Sequence, residues 1–230
     1  MNLRLPALIC LAFFSLAHAQ GERLTYNCDD GSRLEAEFSA EADGRAQAGI
    51  RFADRQLTLP QVPAASGARY LKAGISLHTK ADEAVFDDGQ GKVRFCTRAD
   101  SSPPVAAPVA PATPGSFVEI TGSVAYLARS TLPPDAVLII RVQDTARAGA
   151  PALTLAEQRI DPGGRQAPIP FKLAVDRDLI GKNAQLTVAA RIERKGTLLF
   201  INDSIHRALI DGQPRHVDVK LVPVGPAKYP

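Results

Sequence analysis

The chain holds 230 residues, of which 45% are hydrophobic and 22% charged, with a net charge of +3. These values exclude a mainly disordered or collagen-like chain, and no apolar run reaches the ~18–20 residues of a membrane-spanning helix. With 18 prolines against 17 glycines, and no Trp, the composition favours a turn-rich, β-rich fold.

Residues 1–19 read as a secretory signal peptide. Arg4 supplies a positive start, Leu5 to Leu16 a short apolar stretch, and Ala17-His18-Ala19 a small-x-small cleavage site before Gln20. Cys10 lies inside the apolar stretch, too early to serve as a lipid attachment site, and is removed with it. The reading predicts a periplasmic protein without a membrane span. After cleavage after Ala19, only Cys28 and Cys96 remain. Two cysteines in an exported chain predict one disulfide. In the chain-entropy picture such a long loop contributes roughly 4 kcal/mol. Two cysteines so widely spaced make no metal motif, and His78, His206 and His216 lack ligand spacing. No cofactor is expected.

Composition shifts at residue 99. The stretch 99–116 is Pro, Ala and Ser with five prolines, and reads as a semi-extended linker that keeps two domains apart with few shared contacts. The domains are then 20–98 and 117–230. Residues 20–100 carry 13 acidic and 11 basic side chains, a net of −2, whereas residues 101–230 carry 11 and 15, a net of +4. Neither balance marks a nucleic-acid binder.

In the first domain Leu24, Tyr26 and Cys28 alternate with polar residues. Asp29-Asp30-Gly31 signals a hairpin turn, and Leu34, Ala36 and Phe38 resume the alternation. Ile50/Phe52, Leu57/Leu59 and Ala84/Phe86 are further period-two pairs, and Val93 and Phe95 precede Cys96. About eight short strands in ~80 residues predict a small antiparallel β-barrel, stapled by its disulfide. In the second domain Val118, Ile120, Val124 and Tyr126 share a face. Val137–Ile140 is a continuous apolar run. Ile169 to Val175 and Leu186 to Ile192 alternate, and Val217, Val219 and Leu221 close the pattern. Six to eight strands predict a β-sandwich, so the whole protein is all-β.

Enzyme motifs are absent. Ser66, His78 and Asp82 occur in order without a Gly-x-Ser-x-Gly elbow, and a triad is defined by geometry rather than by order. Asn202-Asp203-Ser204 matches a glycosylation acceptor but reads as a turn. The chain is expected to be a binding protein. Residues 62–86 stand out, with the small-residue run Ala65-Ser66-Gly67-Ala68 followed by Lys80 and the acidic pair Asp82-Glu83.

Those residues carry a resemblance. Tyr26-x-Cys28-x-x-Gly31, Ser66-Gly67-Ala68-Arg69-Tyr70, Lys80 fourteen positions after the serine, Asp82-Glu83-Ala84 and Cys96 resemble the periplasmic and membrane-bound inhibitors of c-type lysozyme. The resemblance implies a disulfide-bearing barrel. It also implies that Ser66 and Lys80, with Gly67 and Tyr70 in support, bind the catalytic carboxylates of a c-type lysozyme. That enzyme works with one protonated and one ionised carboxyl, to which a hydroxyl and an ammonium are suited. The chain departs from the family at Ala81, where glycine is usual, and at His78, where an aromatic is usual.

The second domain resembles the YbaY/YscW-type, pilotin-like envelope lipoproteins. The residues are Arg129-x-x-Leu132-Pro133-Pro134-x-Ala136-Val137, Arg141-Val142-Gln143-Asp144, Pro168-Ile169-Pro170-Phe171 and Ala190-Arg191-Ile192. This resemblance implies a β-sandwich with an envelope protein as partner. Arg141 and Asp144 are either a binding pair, or an ion pair or turn cap. The expectation is an exported lysozyme inhibitor with an accessory envelope domain. The alternative is an envelope assembly or chaperone protein with a degenerate inhibitor domain.

Overall fold

Alternation of apolar and polar residues in the first domain produces eight strands. They are β1 (Glu22–Cys28), β2 (Arg33–Ala40), β3 (Ala46–Phe52), β4 (Arg55–Val62), β5 (Ala68–Lys72), β6 (Ile75–Lys80), β7 (Glu83–Asp87) and β8 (Val93–Arg98). This computed structural model describes residues 21–41, 43–100, 115–126, 132–147, 149–163, 165 and 167–225. The signal peptide with Cys10 and its cleavage site, Arg129 and residues 101–114 of the linker lie outside the described residues. Each strand pairs antiparallel with the next, and β1 pairs with β8, so the sheet closes into a barrel. Cys28 and Cys96 face each other in the β1–β8 register and are joined by the disulfide, which lies at the closing seam. Tyr26, Leu34, Ile50, Leu59, Leu77 and Phe86 fill the interior.

Inward residues on one strand fix what its neighbours do. On β8 the inward positions are Arg94 and Cys96, so Val93 and Phe95 turn outward. Arg94 closes one end of the barrel. Its guanidinium lies 4.5 Å from the Phe52 ring centre and pairs with Asp30 at 2.8 Å and Asp88 at 3.2 Å. A buried cation needs such partners.

The second domain contains β9 (Phe117–Tyr126), β10 (Ala136–Asp144), β11 (Leu153–Ile160), β12 (Ile169–Asp176), β13 (Leu186–Arg194) and β14 (Thr197–Asn202). The short strands β15 (His206–Arg207), β16 (Leu209–Ile210) and β17 (Gln213–Pro214) precede β18 (Val217–Pro223). The order is β11-β10-β13-β14-β18-β9-β12, with β15 extending beside β13. All pairings are antiparallel except β9 with β18, which run parallel. The sheet curls so that its edges, β11 and β12, come alongside each other around one apolar core, including Ile120, Leu138, Ile140, Val175 and Ile192. The expected sandwich is thus one continuous sheet whose halves face each other.

The two domains touch, contrary to the expectation of a linker that holds them apart. The outer faces of both sheets supply the reason. Val85, Val93 and Phe95 of the barrel pack with Phe117 and Ala174 of the second domain in a small apolar cluster. Ser116, just before β9, donates its backbone N–H to Glu83 at 2.5 Å. Lys172 bonds Asp29 and stands 5.1 Å from the Phe95 ring centre. Prolines extend a chain but do not stop exposed apolar faces from burying each other.

Candidate functional site

Ser66 lies in the loop joining β4 to β5, and Lys80 ends β6. Gly67 brings them together. Its φ is +65°, and a Cβ there would stand 2.2 Å from the carbonyl oxygen of Thr79 and 3.2 Å from Cβ of Lys80. Only glycine combines that conformation with so close an approach. The loop therefore lies directly on the end of β6. The alternation on β6 then sorts its side chains. Leu77 points into the barrel, while His78 and Lys80 share the outer face. The His78 ring bonds the carbonyl oxygen of Ser66 through Nε2 at 2.9 Å, which secures the loop to the strand. Its other contact is an edge-on approach to Phe117, ring centres 4.9 Å apart. So the position where the inhibitor family has an aromatic here ties the loop and meets the second domain.

Ser66 and Lys80 converge on one carboxylate. Ser66 Oγ donates to Asp176 Oδ2 at 2.5 Å, and Lys80 Nζ donates to Asp176 Oδ1 at 2.8 Å. Lys80 also pairs with Asp178 at 2.7 Å. Asp176 ends β12 and caps a 3-10 turn, Arg177–Leu179, by accepting the backbone N–H of Asp178 at 3.0 Å. It is 4% exposed, and the Lys80 side chain 18%. Burial opposes both charges. The hydrogen bonds from Lys80, Ser66 and the Asp178 backbone nevertheless hold the Asp176 carboxyl below its usual range. Burial also acts to lower the Lys80 ammonium, but its bonds to Asp176 and Asp178 outweigh this and raise it. Both groups are ionised near neutral pH.

The other expected residues fall elsewhere. Tyr70 points into the barrel, 6% exposed, with its ring 5.4 Å from that of Phe38. Its hydroxyl is raised by burial, and it belongs to the barrel core whereas Lys80 lies on the outer face. Ser66, His78 and Asp82 form no relay, since His78 meets the Ser66 carbonyl and not its hydroxyl. Arg141 pairs with Glu157 at 2.5 Å, while Asp144 accepts the backbone N–H groups of Ala146 and Gln185, both at 2.9 Å. These two residues are an ion pair and a turn cap. Asn202 likewise holds a turn, donating to the Ser204 carbonyl at 2.9 Å. Among the described residues no group of three or more His, Cys, Asp or Glu is placed to hold a metal.

Sequence reasoning missed Asp176 and Asp178. The alternation of Ile169, Phe171, Leu173 and Val175 implied an opposite face of Lys172, Ala174 and Asp176. Nothing in the spacing said that this face would meet the barrel.

Residues 26–93 match the family described as membrane-bound lysozyme-inhibitor of c-type lysozyme. Residues 116–221 match the type III secretion system lipoprotein chaperone family (YscW). Each half matches a family of its own. Neither family is described as an enzyme, and both descriptions point to the cell envelope. Among curated relatives, the uncharacterized lipoprotein YbaY of Escherichia coli (strain K12) is 32% identical over 111 residues, or 48% of this chain. The chain spans 58% of that lipoprotein's length. A solved structure, an alternative pilotin from the type II secretion system of Vibrio cholerae, is 38% identical. It matches with a TM-score of 0.45, over 48% of this chain and 99% of the pilotin chain. We refer below to the inhibitor-like and pilotin-like domains.

Proposed function

We propose that the chain is an envelope inhibitor of c-type lysozyme, acting from the periplasm, whose Ser66 and Lys80 side chains enter the enzyme's cleft and bind its catalytic carboxylates. The observation that carries this reading is the convergence of the Ser66 hydroxyl and the Lys80 ammonium on a carboxylate, at 2.5 and 2.8 Å. The pair has the geometry to grip one carboxylate and reach a second, Asp178, at 2.7 Å. That matches a cleft holding a carboxylate pair. The match of residues 26–93 supports the same reading. Tyr70 acts from inside the barrel, by supporting β5, and Gly67 by seating the serine loop.

The test is inhibition of a c-type lysozyme by the full chain. Truncating one member of a buried, hydrogen-bonded charge pair costs ~2–5 kcal/mol. In a chain with Asp176→Asn and Asp178→Asn, where Lys80 has no internal carboxylate to release, Lys80→Ala should therefore weaken inhibition roughly 30-fold or more, whereas Lys72→Ala, on the neighbouring strand, should leave it unchanged. Equal inhibition by that chain with and without a folded Lys80→Ala would sink the reading.

A second reading is favoured by the match of residues 116–221, in which the pilotin-like domain is the working part and serves an envelope protein as partner. It predicts a chain that fails to inhibit lysozyme in any form, including the variants below.

A further inference from the structure

We propose that the pilotin-like domain is a built-in competitor for the lysozyme site: Asp176 and Asp178 occupy the Ser66–Lys80 pair, so the docked chain is silent and inhibition requires the domain to leave. This rests on the inhibitor reading above and adds its regulation. The chemistry on the two sides is the same. A lysozyme cleft would offer two carboxyl groups, and the pilotin-like domain offers two carboxylates two residues apart on one 3-10 turn. Both acceptor oxygens of Asp176 are taken, one by Ser66 and one by Lys80. Lys80 is shared with Asp178. A foreign carboxylate cannot reach either donor while Asp176 stays.

The rest of the interface suits a reversible contact. Its apolar part is the small cluster of Val85, Val93, Phe95, Phe117 and Ala174. Beside it stand the edge-on contact of His78 with Phe117 and the approach of Gly91 to Ile160, together with charged or polar contacts such as Lys172 on Asp29 and the Ser116 backbone on Glu83. Buried ion pairs contribute little net stability because desolvation offsets their attraction. Interfaces of this kind between domains of one chain permit relative motion. Residues 101–114 join the domains, and fourteen residues can reach about 45–50 Å when extended. The tether therefore allows release. While it holds, it keeps the competitor at an effective concentration on the order of mM.

The apparent affinity of such a chain is its intrinsic affinity reduced by the fraction undocked. The experiment measures inhibition of a c-type lysozyme by the full chain and its variants. Asp176→Asn/Asp178→Asn should inhibit at least tenfold more strongly than wild type, because an amide has no negative charge to hold the ammonium. Asn at position 176 keeps an oxygen for the turn cap, and circular dichroism checks folding. Asp178→Asn alone alters an exposed side chain and should act in the same direction by a smaller factor. Lys172→Ala removes the Asp29 contact away from the site and should also strengthen inhibition. Adding Lys80→Ala to the double variant should abolish the gain. If wild type inhibits and the folded acidic variants inhibit no better, the competitor role is wrong and the inhibitor reading stands. If no form inhibits, both are wrong.

Discussion

Ala81 is the first residue of the two-residue turn between Lys80 and Glu83, and its φ is +51°. That conformation costs an L-residue with a Cβ roughly 1–2 kcal/mol, which explains why a glycine is usual at this point of the inhibitor family. Glycine loses some of that gain through its greater freedom in the unfolded chain, about 0.5–1 kcal/mol. Ala81→Gly should therefore raise stability by up to about 1 kcal/mol, read as a higher midpoint in urea with an unchanged slope. A lower midpoint would show that the turn tolerates alanine without strain. His78, the other departure, has a different account. Its ring bonds the Ser66 carbonyl at 2.9 Å and meets Phe117 edge-on. An aromatic without a ring nitrogen would keep the second contact and lose the first.

At the scale of elements, the barrel and the curled sheet were legible because period-two alternation states which residues share a face. Tyr26 and Cys28, Leu34 and Ala36, and Leu173 and Val175 all lie where that alternation puts them. The disulfide was legible from counting cysteines. The meeting of β6–β8 with β9 and β12 was not. Alternation tells which residues share a face but not what covers the outer one, and scattered apolar residues such as Val85, Phe95 and Ala174 are ordinary on a surface. The site was half legible for the same reason. Ser66 and Lys80 carried a resemblance that pointed to them, whereas no resemblance singled out Asp176 and Asp178. Gly67 links the elements, because the β4–β5 loop can lie on β6 only without a Cβ. Gly67→Ala should lift the loop from Thr79, separate Ser66 from Lys80 and weaken lysozyme inhibition more than Ser66→Ala does. The comparison of the two inhibition constants checks it. Equal losses would mean that the loop accommodates the methyl group.

For the whole molecule, the docked arrangement should respond to pH through two carboxyl groups at the interface. Asp87 ends β7 beside a cleft of about 250 Å³ between the domains, facing Arg69 and His78 on the barrel side and Glu157 and Asp176 across it. Burial first, with the nearby Asp88 adding, pushes its carboxyl up to about 6. The N–H of Gly89 and the charges of Arg69 and Arg94 act in the other direction without overcoming it. The part of this rise that comes from burial against the second domain across the cleft makes the carboxyl take up a proton on docking. Its cost to docking is absent below the ordinary value of 3.8, grows as pH rises from there, and is complete above about 6. Asp176 has the opposite sign. Its carboxyl is held below the ordinary 3.8, so its support is complete above that value and is lost as the solution is acidified below it. Docking should therefore be firmest near pH 4, loosen as pH rises towards 6, and be loosest at pH 7 to 8, where more of the chain can inhibit. Asp87→Asn keeps the oxygen that accepts the Gly89 N–H and removes the charge. At pH 7 it should strengthen docking by up to ~3 kcal/mol, since about two pKa units at ~1.4 kcal/mol each are at stake. Lysozyme inhibition by Asp87→Asn should then be weaker than wild type at pH 7, and the gap should narrow about tenfold near pH 5. The paired measurement at the two pH values decides the matter, because a variant that merely damaged the barrel would lose inhibition at both.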